Sequence, residues 1–122
     1  MTAPAAAGAK AAKAKPPPRL KRRAEFLALA AKGRKTQMTG LVLQVLATGK
    51  PTRIGFTATR KIGNAVVRNR ARRRLREVAR LHFAEHETSG ADFVLIARRD
   101  TARRPFAQLR ADLAQAIAKI AP

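Results

Sequence analysis

Apolar positions recur along the chain with two different periods, and the period tells helix from strand. From about Arg22 to Lys32, "RRAEFLALAAK" joins strong helix formers, with Glu25 in the first turn and Gly33 placed as a terminator. Phe26, Leu27, Leu29 and Ala30 form its apolar side. After a polar connection, "LVLQVLAT" (Leu41 to Thr48) and "TRIGFTAT" (Thr52 to Thr59) are β-rich runs split by Gly49, Lys50 and Pro51, which predicts a hairpin. In the second run Ile54, Phe56 and Ala58 alternate with Arg53, Gly55 and Thr57, so one face is expected to be buried.

Asn64 is suited to cap a long helix running to about Glu85. At ~100° per residue, Val67, Ala71, Leu75, Val78 and His82 fall on one side, the expected core face. Asn69, Arg72, Arg73, Arg76 and Arg80 fall opposite, with Arg68 and Arg70 at the borders. "DFVLIA" (Asp92 to Ala97) reads as a buried strand. From Pro105, the residues Phe106, Leu109, Leu113, Ile117 and Ile120 mark a final amphipathic helix. The predicted order α-β-β-α-β-α gives an α+β fold, a small α/β sandwich around one core. Pro16 to Pro18 block helix propagation, so residues 1–18 are expected to form a disordered basic Ala/Lys/Pro tail and residues 19–122 the domain.

Charge changes this picture from a fold to a function. Twenty-seven Lys and Arg against seven Asp and Glu give a net charge of +20 on 122 residues, which repels itself and calls for a polyanionic partner. No acid occurs between Glu25 and Glu77. A merely solvated helix face mixes signs to form i,i+4 pairs, whereas here Arg72, Arg76 and Arg80 stand one turn apart and repel. Arginine also suits phosphate, because its planar fork binds two oxygens and stacks on bases. The free amides at Asn64 to Val66 add partial positive charge at the same place.

Other chemistry is sparse. Without cysteine there is no disulfide framework and no thiolate metal site, which fits a reducing cytosol. No stretch approaches the roughly 20 apolar residues of a membrane span. "HFAEH" (His82 to His86) matches a zinc-peptidase spacing, but no third ligand is evident, so no metal site is expected. No phosphate-binding Gly-rich loop, Ser/His/Asp set or paired carboxylates appear, so no catalytic residues are expected in the protein. With no Trp or Tyr, Phe26 is the main candidate for stacking on a base, and an ordinary core Phe is the competing reading.

"GFTATRKIGNAVVRNRARRRLREVAR" resembles the signature of the protein subunit of bacterial ribonuclease P, with Arg68, Asn69 and Arg70 as its Arg-Asn-Arg core. The resemblance runs from "RLKRRAEF" through "FVLIAR" to the helix after Pro105. It implies that a catalytic RNA, with bound magnesium, removes the 5′ leader of precursor tRNA while the protein assists and binds no cofactor of its own. It further implies RNA contacts at Lys61, Asn64, Arg68, Asn69, Arg70, Arg73 and Arg74, and a leader cleft containing Phe26 between the first helix and the sheet. A left-handed βαβ crossover also follows from it; a cytoplasmic location is expected, and one protein with one RNA is the expected assembly, with a larger one left open. The family often carries two further aromatics where this chain has Ala30 and Gln44, so stacking in the cleft is expected to be weaker. A structural ribosomal protein and a DNA-binding module are the competing readings. The Arg-Asn-Arg signature argues against the first, and crowded arginines suit phosphate better than a base code.

Overall fold

The computed structural model describes residues 17–86 and 88–121. Helix α1 (Arg23–Lys32) leads into a short strand β1 (Arg34–Gln37), then β2 (Leu41–Pro51) and β3 (Ile54–Thr57). A 3-10 turn (Arg60–Ile62) precedes the long helix α2 (Ala65–Glu85). Strand β4 (Ser89–Ala97), a second 3-10 turn (Arg99–Ala102) and helix α3 (Phe106–Ile120) complete the fold. The expected order of principal elements holds, with β1 added. That strand, "RKTQ", escaped the sequence reading because it is short, polar and largely exposed, as suits a protected sheet edge.

The sheet order is β1-β2-β4-β3, which corrects the expected hairpin. β2 and β3 do not pair; β4 lies between them, antiparallel to β2 from Leu41 opposite Ala97 to Ala47 opposite Ala91, and parallel to β3. Alternation along a strand reports which face is buried but not which strand sits beside it. β4 is central and covered on both faces, hence its unbroken apolar run. Pro18 and Leu20 extend the sheet beyond β3: Ile54 N–H donates to the Pro18 carbonyl at 2.9 Å and Leu20 N–H to the Ile54 carbonyl at 2.9 Å. The expected tail falls almost wholly on residues 1–16, outside the described residues.

Two apolar layers flank the sheet. On one face Leu43, Val45, Phe93 and Leu95 pack against α2 and α3. On the other, Leu20, Leu29 and Val94 form a smaller cluster with Phe26, Leu46 and Ile96 under α1. The buried side of α2 is Ala71, Leu75, Val78, Ala79 and Phe83. Val67 and His82, expected in the core, are only half-buried. The stripe rotates toward Phe83 because that ring packs on Phe93 of β4, with centroids 5.3 Å apart.

Asn64 caps α2 as expected, its side-chain oxygen accepting from Val67 N–H at 3.0 Å. Gly63 makes the entry possible: its φ of 148° lies in the region glycine favours, and a Cβ there would meet Val67 Cβ at 2.9 Å.

Candidate nucleic-acid interface

Helix α2 is core on one side and cationic on the other. Asn69, Arg70, Arg73, Arg76 and Arg80 are exposed and Arg68 is half-buried. Among the described residues, no hydrogen bond or ion pair within the protein engages the side chains of Arg68, Arg70, Arg73 or Arg76. Their neighbours are occupied: Arg72 donates to Asn69 Oδ1 at 2.9 Å, and Arg80 forks onto Glu77 at 3.0 and 2.6 Å. That pairing holds the Glu77 carboxyl below its usual range and raises the Arg80 guanidinium, so the one acid on the ridge is spent on one arginine.

Two residues singled out from the sequence have structural duties. Asn64 holds the start of α2 through its cap. Arg74 turns inward and donates to the backbone carbonyls of Thr101, at 2.8 Å, and Arg104. It thereby ties α2 to the connection before α3.

That connection brings charges which sequence reasoning missed. Exposed Lys61 and Arg70 line a recess of about 540 Å³ together with Arg60, Arg99 and Arg103, and Gly63 forms part of its wall. Arg70 also borders a neighbouring recess of about 410 Å³ with Arg73 and Arg74. Among the described residues, Arg103 pairs with Asp100 at 3.6 Å, and no ion pair engages Arg60 or Arg99. The run "ARRDTARR" (Ala97 to Arg104) carried the signal, but nothing local places it beside Lys61. The result is a two-sided cationic groove able to hold backbone phosphates.

On the opposite face of the sheet Phe26 lies directly over Gly55. A Cβ at Gly55 would meet the Phe26 ring at 2.5 Å, so glycine lets the ring settle on the backbone. Phe26 is half-buried, and its two sequence readings therefore meet in one ring that packs on Leu20, Leu29 and Val94 yet keeps exposed area. Lys35, Gln44, Val94 and Gly55 form one row across the four strands, placing Gln44 on the sheet face that Phe26 shares. Ala30 is exposed on α1. Arg53 anchors this helix, pairing with Glu25 of α1 and with buried Asp92 of β4 at 2.9 Å. The Glu25 carboxyl is held below its usual range by the Arg22 N–H and then by Arg53.

The "HFAEH" segment lies at the far end of α2. The His82 and His86 rings sit 4.5 Å apart, and Arg110 donates to Glu85 at 2.9 Å. Burial first, then the charge of His86, pushes the His82 imidazole down to about 4. Its folded value lies below the ordinary 6.5, so its contribution to stability is complete above that pH and is lost as pH falls toward 4. His82→Leu is expected to flatten urea-unfolding stability across this window; an unchanged pH profile would contradict the assignment.

The combination of a core-forming helix, an outward row of unpartnered arginines and a groove ringed by further cations defines a class: small basic α+β proteins built to face a polyanion. A model of the Ribonuclease P family matches residues 15–121, and the chain belongs to that family, the protein components of ribonuclease P. It is 54% identical over 103 residues to the ribonuclease P protein component of Gluconacetobacter diazotrophicus, covering 83% of this chain and 89% of that one. To that of Paramagnetospirillum magneticum it is 45% identical over 108 residues, covering 84% and 81%. Its fold resembles the RNase P protein of Staphylococcus aureus, with a TM-score of 0.70, 27% identity and coverage of 84% and 95%. The Thermotoga maritima RNase P protein gives a TM-score of 0.69, with 28% identity and coverage of 85% and 98%.

Proposed function

We propose that this chain binds the catalytic RNA of ribonuclease P through the outer face of α2 and assists removal of the 5′ leader from precursor tRNA. The row formed by Arg68, Arg70, Arg73 and Arg76, without side-chain partners in the described protein, is the observation that carries this reading. A row of like charges facing water alone has no stabilising purpose, whereas an RNA backbone neutralises it. The recess at Lys61 and Arg70 extends the phosphate track, and Asn69 orients Arg72 on α2. The leader lies across the other face of the sheet, its base against Phe26. Catalysis resides in the RNA, which holds the magnesium; the protein supplies cations and a stacking surface. One protein serves one RNA, in the cytoplasm. No helix among the described residues is long and apolar enough to cross a membrane.

The experiment compares precursor and mature tRNA in the complex reconstituted with the cognate RNA. Protein and magnesium without RNA should leave the precursor uncut, and adding the RNA should give cleavage at low magnesium. Phe26→Ala should weaken precursor binding by about 1 to 3 kcal/mol, the loss of one stacked base, while mature tRNA binding is unchanged. Because the ring is half-buried, its folding cost should fall below the roughly 3 to 5 kcal/mol of a fully buried Phe. Cutting by RNA-free protein would refute the catalytic assignment, and equal losses on both tRNAs would refute the leader assignment.

A further inference from the structure

A third recess, of about 550 Å³, opens between α2 and the edge of the sheet at β3. Its floor is apolar, formed by Ile54, Phe56 and Ala79, with Pro17 and Pro18 as one wall. Its rim is cationic, formed by Arg19, Lys21, Arg76 and Arg80. The Arg19 guanidinium lies 5.6 Å from the centre of the Phe56 ring. Leu20 belongs to the cluster under α1, whereas Phe56 packs with the cluster under α2, so this recess and Phe26 occupy opposite faces of the sheet. It is also distinct from the basic groove at the start of α2, with which it shares no lining residue.

We propose that this recess receives a single unpaired nucleobase of RNA, its ring against Phe56 and its flanking phosphates on Arg76 and Lys21. The inference rests on the reading that the chain binds RNA. The volume suits a small planar group, lying within the range of about 300 to 1,000 Å³ typical of ligand clefts. An apolar floor alone would accept any apolar side chain, but Arg19, Lys21 and Arg76 around it, with Arg80 held by Glu77, select an occupant that is flat, apolar in its ring and anionic at its edges. An unpaired nucleotide has that make-up. The chain's own N-terminal residues do not, since Lys10, Lys13 and Lys15 would add positive charge to a positive rim. Arg19, 5.6 Å from the centre of the Phe56 ring, swings outward to admit a base and covers it from the open side. Recognition by stacking and phosphate contacts predicts tolerance of base identity.

The test uses the full chain carrying Phe26→Ala, which removes stacking on the other face. Affinity is measured for a short oligouridylate and for an abasic sugar–phosphate strand of the same length. The base-bearing strand should bind about 5- to 150-fold tighter, the fold-change of one stacked base, and adding Phe56→Leu should abolish most of that difference. Phe56 also touches the core, so a measurement without altering it runs in parallel: a thiouridine-substituted strand, irradiated on the protein with Phe56 intact, should crosslink to the peptide Ile54–Arg60. Equal affinities for the two strands, with no crosslink in that peptide, would overturn the proposal and leave charge alone as the cause of binding. Failure of both strands to bind would instead overturn the RNA-binding reading on which it rests.

Discussion

Replacing Arg68 and Arg70 together by alanine is expected to weaken binding to ribonuclease P RNA by upward of about 100-fold, since each charge-assisted hydrogen bond contributes roughly 1.5 to 3 kcal/mol. The dependence of affinity on salt should flatten as well, by a log–log slope of roughly 0.7 to 0.9 for each phosphate that the protein no longer neutralises. Neither side chain has a described partner inside the protein, and alanine is the best helix former, so thermal unfolding should change little. Two neighbours provide contrast. Arg80→Ala should cost less affinity, because Glu77 already neutralises that side chain in part. Arg74→Ala should lower stability instead, because its guanidinium holds the Thr101 and Arg104 carbonyls. Filter binding across a salt series, with thermal unfolding alongside, would reveal all three patterns. An unchanged affinity and slope for the double variant would remove the α2 ridge as the RNA surface.

Asp112→Ala is expected to destabilise the fold by about 3 to 5 kcal/mol, the cost of breaking a buried charge pair from one side. Asp112 of α3 is 5% exposed and accepts from Gly40 N–H at 3.0 Å and from Arg104 through Nε and, at 3.2 Å, Nη2. Removing it leaves a buried amide and a largely covered guanidinium without acceptors. The same corner is knitted by Thr101, whose hydroxyl donates to the Gly40 carbonyl while accepting from Arg98 N–H at 2.8 Å. Since that connection carries Arg99 and Arg103 to the basic groove, RNA affinity should fall with stability. Asp112→Asn keeps an acceptor for Gly40 and should cost less. Urea denaturation checks both variants, and a loss below about 1 kcal/mol for Asp112→Ala would show that the corner holds without the carboxylate.

Much of this molecule was legible in one dimension. The capped arginine helix, its split into apolar and cationic sides, and the buried strand at Asp92 to Ala97 all follow from local periodicity and capping chemistry, which act within one or two turns of chain. The Arg-Asn-Arg segment is likewise contiguous, so its charge density needed no fold to be seen. The polar edge strand β1 was hidden because its pairing comes from the backbone rather than from an apolar pattern. The neighbour of β3 was hidden too, since hydrogen bonding between strands separated by a whole helix leaves no trace in alternation. Arg74 could be counted as a charge but not recognised as a tie, because its acceptors are backbone carbonyls from residues 101 and 104. Local sequence determined which segments are helix or strand, which faces are apolar and where positive charge is dense. Tertiary structure alone decided that Arg99 and Arg103 join Lys61 and Arg70, that Phe26 rests on Gly55, and that Arg19 covers Phe56. Those juxtapositions depend on long-range packing of α2 and α3 on one face of the sheet and α1 on the other, and no short window of the chain contains it.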